Sequence, residues 1–286
     1  MSTLDAVYAT CARALARRAS ASSSSWSSSS SSHVGARAAR EIADALDRVR
    51  LADVSRALTA YASRARERDA AGSRAPLQPC VTYLRLRAET EYSIGAFVFD
   101  ASQKIPLHNH PGMTVFMRAL FGDADVTSYD LVSCVDATGG SVETHLSATD
   151  AREGRGRTFE ARFAGRARLS GDGDGDGDGD RVSTSSTMTL TPNRGNVHTI
   201  TATTACAILE VQTPPYAVGR GRDCHYFEIV AEAAAEAADK DVGKGRVFGD
   251  RSGVRTQLRE IAPPPSFVCV RFPSSDEDED EDAPVK

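Results

Sequence analysis

Past Pro76 the chain stops reading as helix and breaks into short β-branched and aromatic runs separated by Gly, Pro and Asp. That change of grammar restricts the fold more than any other feature. Residues of this kind fit a pleated, half-buried surface, and the punctuation between the runs makes turns. Strands are expected near residues 80–87, 92–100, 112–121, 124–132, 158–169, 182–191, 196–203, 205–212, 223–230 and 266–271. Many short strands joined by turn signals predict an all-β jelly-roll barrel, of which the cupin-type double-stranded β-helix is one form.

Helices are expected ahead of the barrel. Leu4, Val7, Tyr8, Cys11 and Leu15 recur at helical spacing within residues 3–18. A serine tract from Ser20 to Ser32, broken by Trp26, reads as a flexible linker. A second helix is predicted from about 36 to 68, with Ile42, Leu46, Val49, Val54 and Leu58 on one side, good helix formers throughout and no Pro. The chain therefore divides into an N-terminal helix (1–19), a Ser-rich linker (20–35), a helical segment (36–75), the barrel domain (76–273) and an acidic disordered tail (274–286). A low-complexity insert at about 134–181 interrupts the barrel, and its Gly-Asp repeat ending at Asp180 offers no apolar face to bury. Neither the EF-hand spacing nor a nonapeptide calcium repeat is present there, so disorder is the preferred reading. The alanine-rich residues 231–239 predict a short helix.

Composition removes several function classes. No apolar run approaches the roughly 20 residues needed to span a bilayer. The six cysteines, at 11, 80, 134, 206, 224 and 269, form no CxxC pair, which argues against a zinc ribbon or a disulfide framework and for a reducing compartment. The net charge of −5 misleads, because seven of the 39 acids lie in residues 276–282 and five in the Gly-Asp repeat, leaving 27 against 34 Lys and Arg. The body is thus basic, yet its arginines are dispersed and accompany no nucleic-acid-reading motif, so no nucleic-acid partner is expected. The location expected is cytoplasmic and/or nuclear. The Arg-rich, Ser-rich, acid-poor first 40 residues also fit an organellar transit peptide, and that alternative stays open.

The chemistry concentrates in Ile105-Pro-Leu-His-Asn-His-Pro-Gly-Met-Thr-Val-Phe116. His108 and His110 sit two apart in a segment that reads as strand, so both imidazoles share a face and can reach one metal ion. Metal-binding cupin barrels usually place a carboxylate four or five residues after such a pair. Here those positions hold Thr114 and Val115. The turn Pro192-Asn-Arg-Gly-Asn-Val-His198 offers a third ligand at the start of a β-rich run, and Phe121-Gly122 closes a hairpin at the spacing these motifs use. Three neutral ligands, His108, His110 and His198, leave the metal its full charge and favour a substrate that brings its own anion; a thiolate suits. The other histidines carry no comparable signal. His33 lies in the linker and His145 in the insert, while His225 alternates with Cys224 and Tyr226 and is expected to face solvent.

Val81-Thr-Tyr-Leu-Arg-Leu, Tyr92-Ser-Ile-Gly-Ala-Phe97, residues 105–122, Ser128-Tyr-Asp-Leu131 and Thr203-Thr-Ala-Cys-Ala-Ile-Leu-Glu-Val211 with Pro214-Pro-Tyr216 together resemble the plant cysteine oxidases and cysteamine (2-aminoethanethiol) dioxygenase. The likeness is close over about residues 80–132 and 188–230 and weaker at Leu4–Cys11 and Ala45–Val54. It implies a cupin with N-terminal helices that holds Fe(II) and adds both atoms of dioxygen to a thiol, giving a sulfinic acid. The implied substrate is the N-terminal cysteine of a protein or peptide, as in oxygen-sensing N-degron pathways of the hypoxia response, with cysteamine as the alternative. The implied partners are thus dioxygen and a thiol, and the protein is expected to act as a monomer.

The resemblance also points to further site residues. Glu210, 12 residues after His198, stands where the plant enzymes have Asp, and would orient a ligating His or meet the substrate's amine; the plainer reading is a surface acid. Tyr216 would sit near the metal, or simply cap the barrel mouth. Cys224 and Tyr226, two apart, form a candidate redox or crosslink pair, or ordinary core. Cys206 reads as a small buried hydrophobe. From a different class, a non-catalytic cupin that binds metal or ligand stays open, since fold does not fix function.

Overall fold

The computed structural model describes residues 2–21, 34–135, 141–142, 156–171, 187–232 and 254–272. Two mainly antiparallel sheets form the barrel. One runs in the order β13 (Cys269–Arg271), β1 (Val81–Ala88), β2 (Ser93–Phe99), β10 (Cys206–Thr213), β4 (Thr114–Phe121), β8 (Met188–Leu190). The other runs β6 (Ser141–Val142), β5 (Asp123–Val135), β7 (Thr158–Ser170), β12 (Arg255–Ile261), β11 (Tyr226–Glu232), β3 (Lys104–His108), β9 (Val197–Ala202), and a further β5–β9 pairing brings its path back on itself. This is the jelly-roll architecture of a cupin.

Alternation along the strands explains the layering. All eight residues of β4 are buried because both of its faces are covered. Val115, Met117 and Ala119 face the barrel interior with Phe99, Ile200 and Ile208, while Phe116 and Leu120 face outward into a second core. Four helices cover that outer face: α1 (Thr3–Ala21), α2 (Ala36–Leu46), α3 (Leu51–Val54) and α4 (Arg56–Ala70). Val7, Cys11 and Leu15 of α1 pack there with Ile42, Leu46, Leu58, Ile94 and Leu209. On β10 the same parity sends Leu209 and Val211 outward and Cys206, Ile208 and Glu210 inward.

Several expectations change. The helix predicted over 36–68 is three helices. The chain breaks where Val49 turns into the core and Arg50 and Ser55 take extended backbone, and the Ser55 side chain accepts from the Leu58 N–H at the start of α4. No Gly or Pro marks these breaks, and the one local signal is Ser55, a preferred helix N-cap. The strand expected near 158–169 is present as β7, a 13-residue strand between β5 and β12, so this part of the insert assigned to about 134–181 belongs to the barrel. Strand β12 lay outside every predicted strand. Ala231 belongs to β11 rather than to a helix, the run expected over 223–230 begins at Tyr226, and the one expected over 266–271 shortens to β13. Of the run predicted at 182–191, residues 188–190 form β8 and 182–186 lie outside the described residues, as do residues 22–32 of the serine tract, His33, His145, most of the Gly-Asp repeat, residues 233–239 and the acidic tail.

Candidate metal centre

Pairing of β3 with β9 sets His108 directly opposite His198, and pairing with β11 sets it opposite Tyr226. His110 is not on a strand. It lies two residues past the end of β3, in a turn through Pro111 and Gly112 where the Met113 N–H donates to the His110 carbonyl at 3.1 Å. Gly112 has φ 66°, a backbone that side chains disfavour, so the second imidazole is carried at the start of a tight turn and not by strand alternation.

The three rings stand 4.5 to 5.0 Å apart between centroids, and their ligand atoms all lie within 4.8 Å of one another. All three side chains are buried. The Nδ1 of His108 is 2.9 Å from the Pro106 carbonyl, and that of His198 is 3.4 Å from the Asn196 carbonyl. A carbonyl can only accept, so these contacts place the proton on Nδ1 and leave Nε2 as a lone-pair donor. The Nε2 of His198 and both ring nitrogens of His110 have no hydrogen-bond partner. Buried orphan polar atoms cost roughly 1–3 kcal/mol each, and a divalent cation among them would satisfy the set. Among the described residues no carboxylate joins the group. Burial pushes His108 down to about 4 and holds His110 and His198 well below the usual imidazole range, with neighbouring imidazoles adding to the effect. The rings are therefore neutral at neutral pH, the form that binds metal.

Two asparagines hold this geometry, and the sequence reading missed both. The Asn196 side chain accepts from the His110 N–H at 3.1 Å and donates to the His110 carbonyl at 2.7 Å, clamping the turn from both sides. Asn109, between the two ligands, gives its carbonyl to the Tyr216 hydroxyl at 2.7 Å. The available signal was an amide side chain next to, or two residues before, a ligand histidine. His225 is corrected: it is buried, with Nδ1 2.7 Å from Glu260 Oε1. Strand alternation did not apply, because Cys224 and His225 precede β11 and Asn109 holds the His225 backbone.

A cavity of about 300 Å³ adjoins the imidazoles, walled by Tyr83, Phe97, Glu210, Tyr216, Cys224 and Tyr226, with the exposed Arg85, Arg87 and Ala88 at its rim. Glu210 is no surface acid. Only 3 % exposed, its carboxylate accepts from Gln212 Nε2 at 2.9 Å, and burial pushes it up to about 7 despite that bond. The hydrogen bonds of the imidazoles go to main-chain carbonyls, not to Glu210, which leaves its carboxylate facing the cavity. Gly95 pairs with Glu210 across β2 and β10, and any Cβ there would collide with the Tyr83 hydroxyl, so the missing side chain lets that phenol lie against the cavity wall. The Tyr216 ring stacks on His110 at 5.0 Å. The Cys224 thiol is hydrogen-bonded to both Tyr216 and Tyr226 and is pushed up to about 11 by burial, so it stays protonated at neutral pH. All seven site residues read from the sequence thus line or adjoin one space, though Cys224 reaches it from the segment before β11.

The family described as PCO_ADO matches residues 45–277. Plant cysteine oxidase 1 of Arabidopsis thaliana is 36 % identical over 171 residues, covering 60 % of this chain and 49 % of that protein. The 2-aminoethanethiol dioxygenase of Homo sapiens is 31 % identical over 190 residues, covering 62 % of this chain and 66 % of its own length. The chain thus spans about half to two thirds of these relatives. An RmlC-like cupin protein from Desulfovibrio desulfuricans aligns over 48 % of this chain and 84 % of its own with 12 % identity and a TM-score of 0.27, a likeness too slight to argue from.

Proposed function

The chain belongs to the PCO_ADO family, and from that premise we propose that it is a non-haem iron dioxygenase oxidising the N-terminal cysteine of a protein or peptide to the sulfinic acid. The observation that carries this reading is the set of three buried, neutral imidazoles with orphaned nitrogens beside an open cavity. Held by His108, His110 and His198, Fe(II) supplies a Lewis acid that lowers a thiol's pKa and a redox centre for dioxygen. The remaining roles fall to the chain. With no carboxylate joining them among the described residues, the imidazoles leave an anionic thiolate as the natural partner. Glu210, ionised above about pH 7, faces the cavity where a substrate ammonium would sit, and such a cation would itself favour the ionised carboxylate. Tyr216, its proton committed to the Asn109 carbonyl, keeps oxygen lone pairs for a substrate N–H. Protonated Cys224 does not compete for the cation.

A peptide suits the site better than cysteamine. The latter has four heavy atoms, about 120 Å³ if each takes the roughly 30 Å³ of a liquid water, whereas the cavity is about 300 Å³ and opens at a basic rim. Burial of Val7, Cys11 and Leu15 supports a mature chain that keeps its N-terminal helix, and with it the cytoplasmic or nuclear location over the organellar one. The deciding assay supplies Fe(II), dioxygen and either an N-terminal-Cys peptide or cysteamine, and reads the product by mass spectrometry. Gain of two oxygen atoms on the peptide is expected. Turnover of cysteamine alone would overturn the peptide assignment, and turnover of neither would favour a non-catalytic cupin.

A further inference from the structure

His225, Glu260 and Arg157 form a hydrogen-bonded cluster behind the ligand turn, and none of them lines the cavity. His225 and Glu260 are each 5 % exposed. The His225 Nδ1 lies 2.7 Å from Glu260 Oε1, and Arg157 sends Nε and Nη2 to the other carboxylate oxygen at 3.2 and 3.1 Å. The Glu260 backbone is held as well: its N–H donates to the Arg157 carbonyl at 2.9 Å, and its carbonyl accepts from the Gly156 N–H at 3.1 Å. On its other side His225 is tied to the metal-binding turn by a closed pair of hydrogen bonds. Its N–H donates to Asn109 Oδ1 at 2.9 Å, and the Asn109 N–H donates to its carbonyl at 3.1 Å.

We propose that this cluster is a positioning device for the metal centre, fixing the distance between His108 and His110 through Asn109. A buried ion cluster is seldom the most stable way to fill a barrel wall, since apolar residues of like size often do as well or better. What it does supply is one geometry, because a carboxylate held from two sides and a ring held by that carboxylate cannot slide. His225 then has one place for its backbone, and Asn109 one place to dock. Asn109 is flanked directly by two of the three ligands, so its position sets theirs. His225, Glu260 and Arg157 are positioning residues, not catalytic ones. The inference rests on reading the three histidines as a metal site.

The test is Co(II) binding by the full-length protein, read from the visible absorption of the bound ion, in wild type, His225→Phe, Glu260→Gln, Arg157→Met and Arg157→Lys. His225→Phe and Glu260→Gln are expected to bind about tenfold more weakly, the lower end of the penalty for losing an outer hydrogen-bond partner, and to shift the absorption bands. Arg157→Met is expected to move in the same direction, and Arg157→Lys, which keeps a cation on Glu260, to restore the wild-type spectrum. Wild-type affinity and bands in the folded His225→Phe and Glu260→Gln proteins would overturn the inference. Should those two not fold, an unchanged Arg157→Met would overturn it, since that side chain is 25 % exposed and its loss leaves the His225–Glu260 bond in place. Failure of the wild type to bind Co(II) would overturn the metal-centre reading, and this inference with it.

Discussion

At the scale of single residues the site is a balance of burial against charge, and Glu210 shows it most clearly. Its carboxyl rises from the ordinary 4.5 to about 7 because burial penalises the anion. The folded chain therefore holds this proton more tightly than the unfolded one. Its stabilising contribution is complete below about pH 4.5 and lost as pH rises through 7. In metal-free protein, Glu210→Gln should match wild type in thermal stability at pH 4.5 and exceed it at pH 8, by about 3 kcal/mol at most. Melting curves in chelator across that range check this, and a pH-independent difference would show that the carboxyl is not held as described. His198→Ala removes one of three ligands, and the purified protein should lose most of its iron by elemental analysis. Undiminished iron in that variant would sink the proposed ligand set.

Strands and turns decide where those residues meet. The β3–β9 register delivers His108 to His198, but the second member of the pair depends on a turn clamped by Asn196. Asn196→Ala removes both clamp bonds at once, so metal affinity should fall by roughly 10- to 100-fold with the barrel intact. Asn196→Asp keeps the acceptor for the His110 N–H and turns the donor into a second acceptor facing a carbonyl, so it should rescue little. Equal affinity for Co(II) in wild type and Asn196→Ala, by titration, would mean that the turn holds its shape without the clamp.

For the whole molecule, the helices are part of the barrel's structure because β4 and β10 bury residues on both faces. Leu15 is 2 % exposed in the core they share with the outer sheet face. Leu15→Ala should therefore cost about 2–5 kcal/mol in chemical denaturation. A chain that denatures identically after that change would show that α1 is dispensable. The acidic residues 276–282 offer no apolar surface, and deleting them should leave turnover unchanged in the oxygen-consumption assay.

The barrel was legible from its short β-branched and aromatic runs set between Gly, Pro and Asp, and the three histidines from their place in two of those segments. The glutamate, the tyrosines and the cysteine came from likeness to a family, not from spacing. The break at Val49, the strand β12 and the burial of His225 were not legible, because each depends on a partner far along the chain. Asn109 meets residue 225 and His225 meets residue 260 across separations no local pattern encodes. Local chemistry therefore determined which elements form and which side chains can ligate. Only the tertiary structure decided which of the remaining polar groups are buried, since a buried hydrogen bond exists only once both of its partners have been brought together.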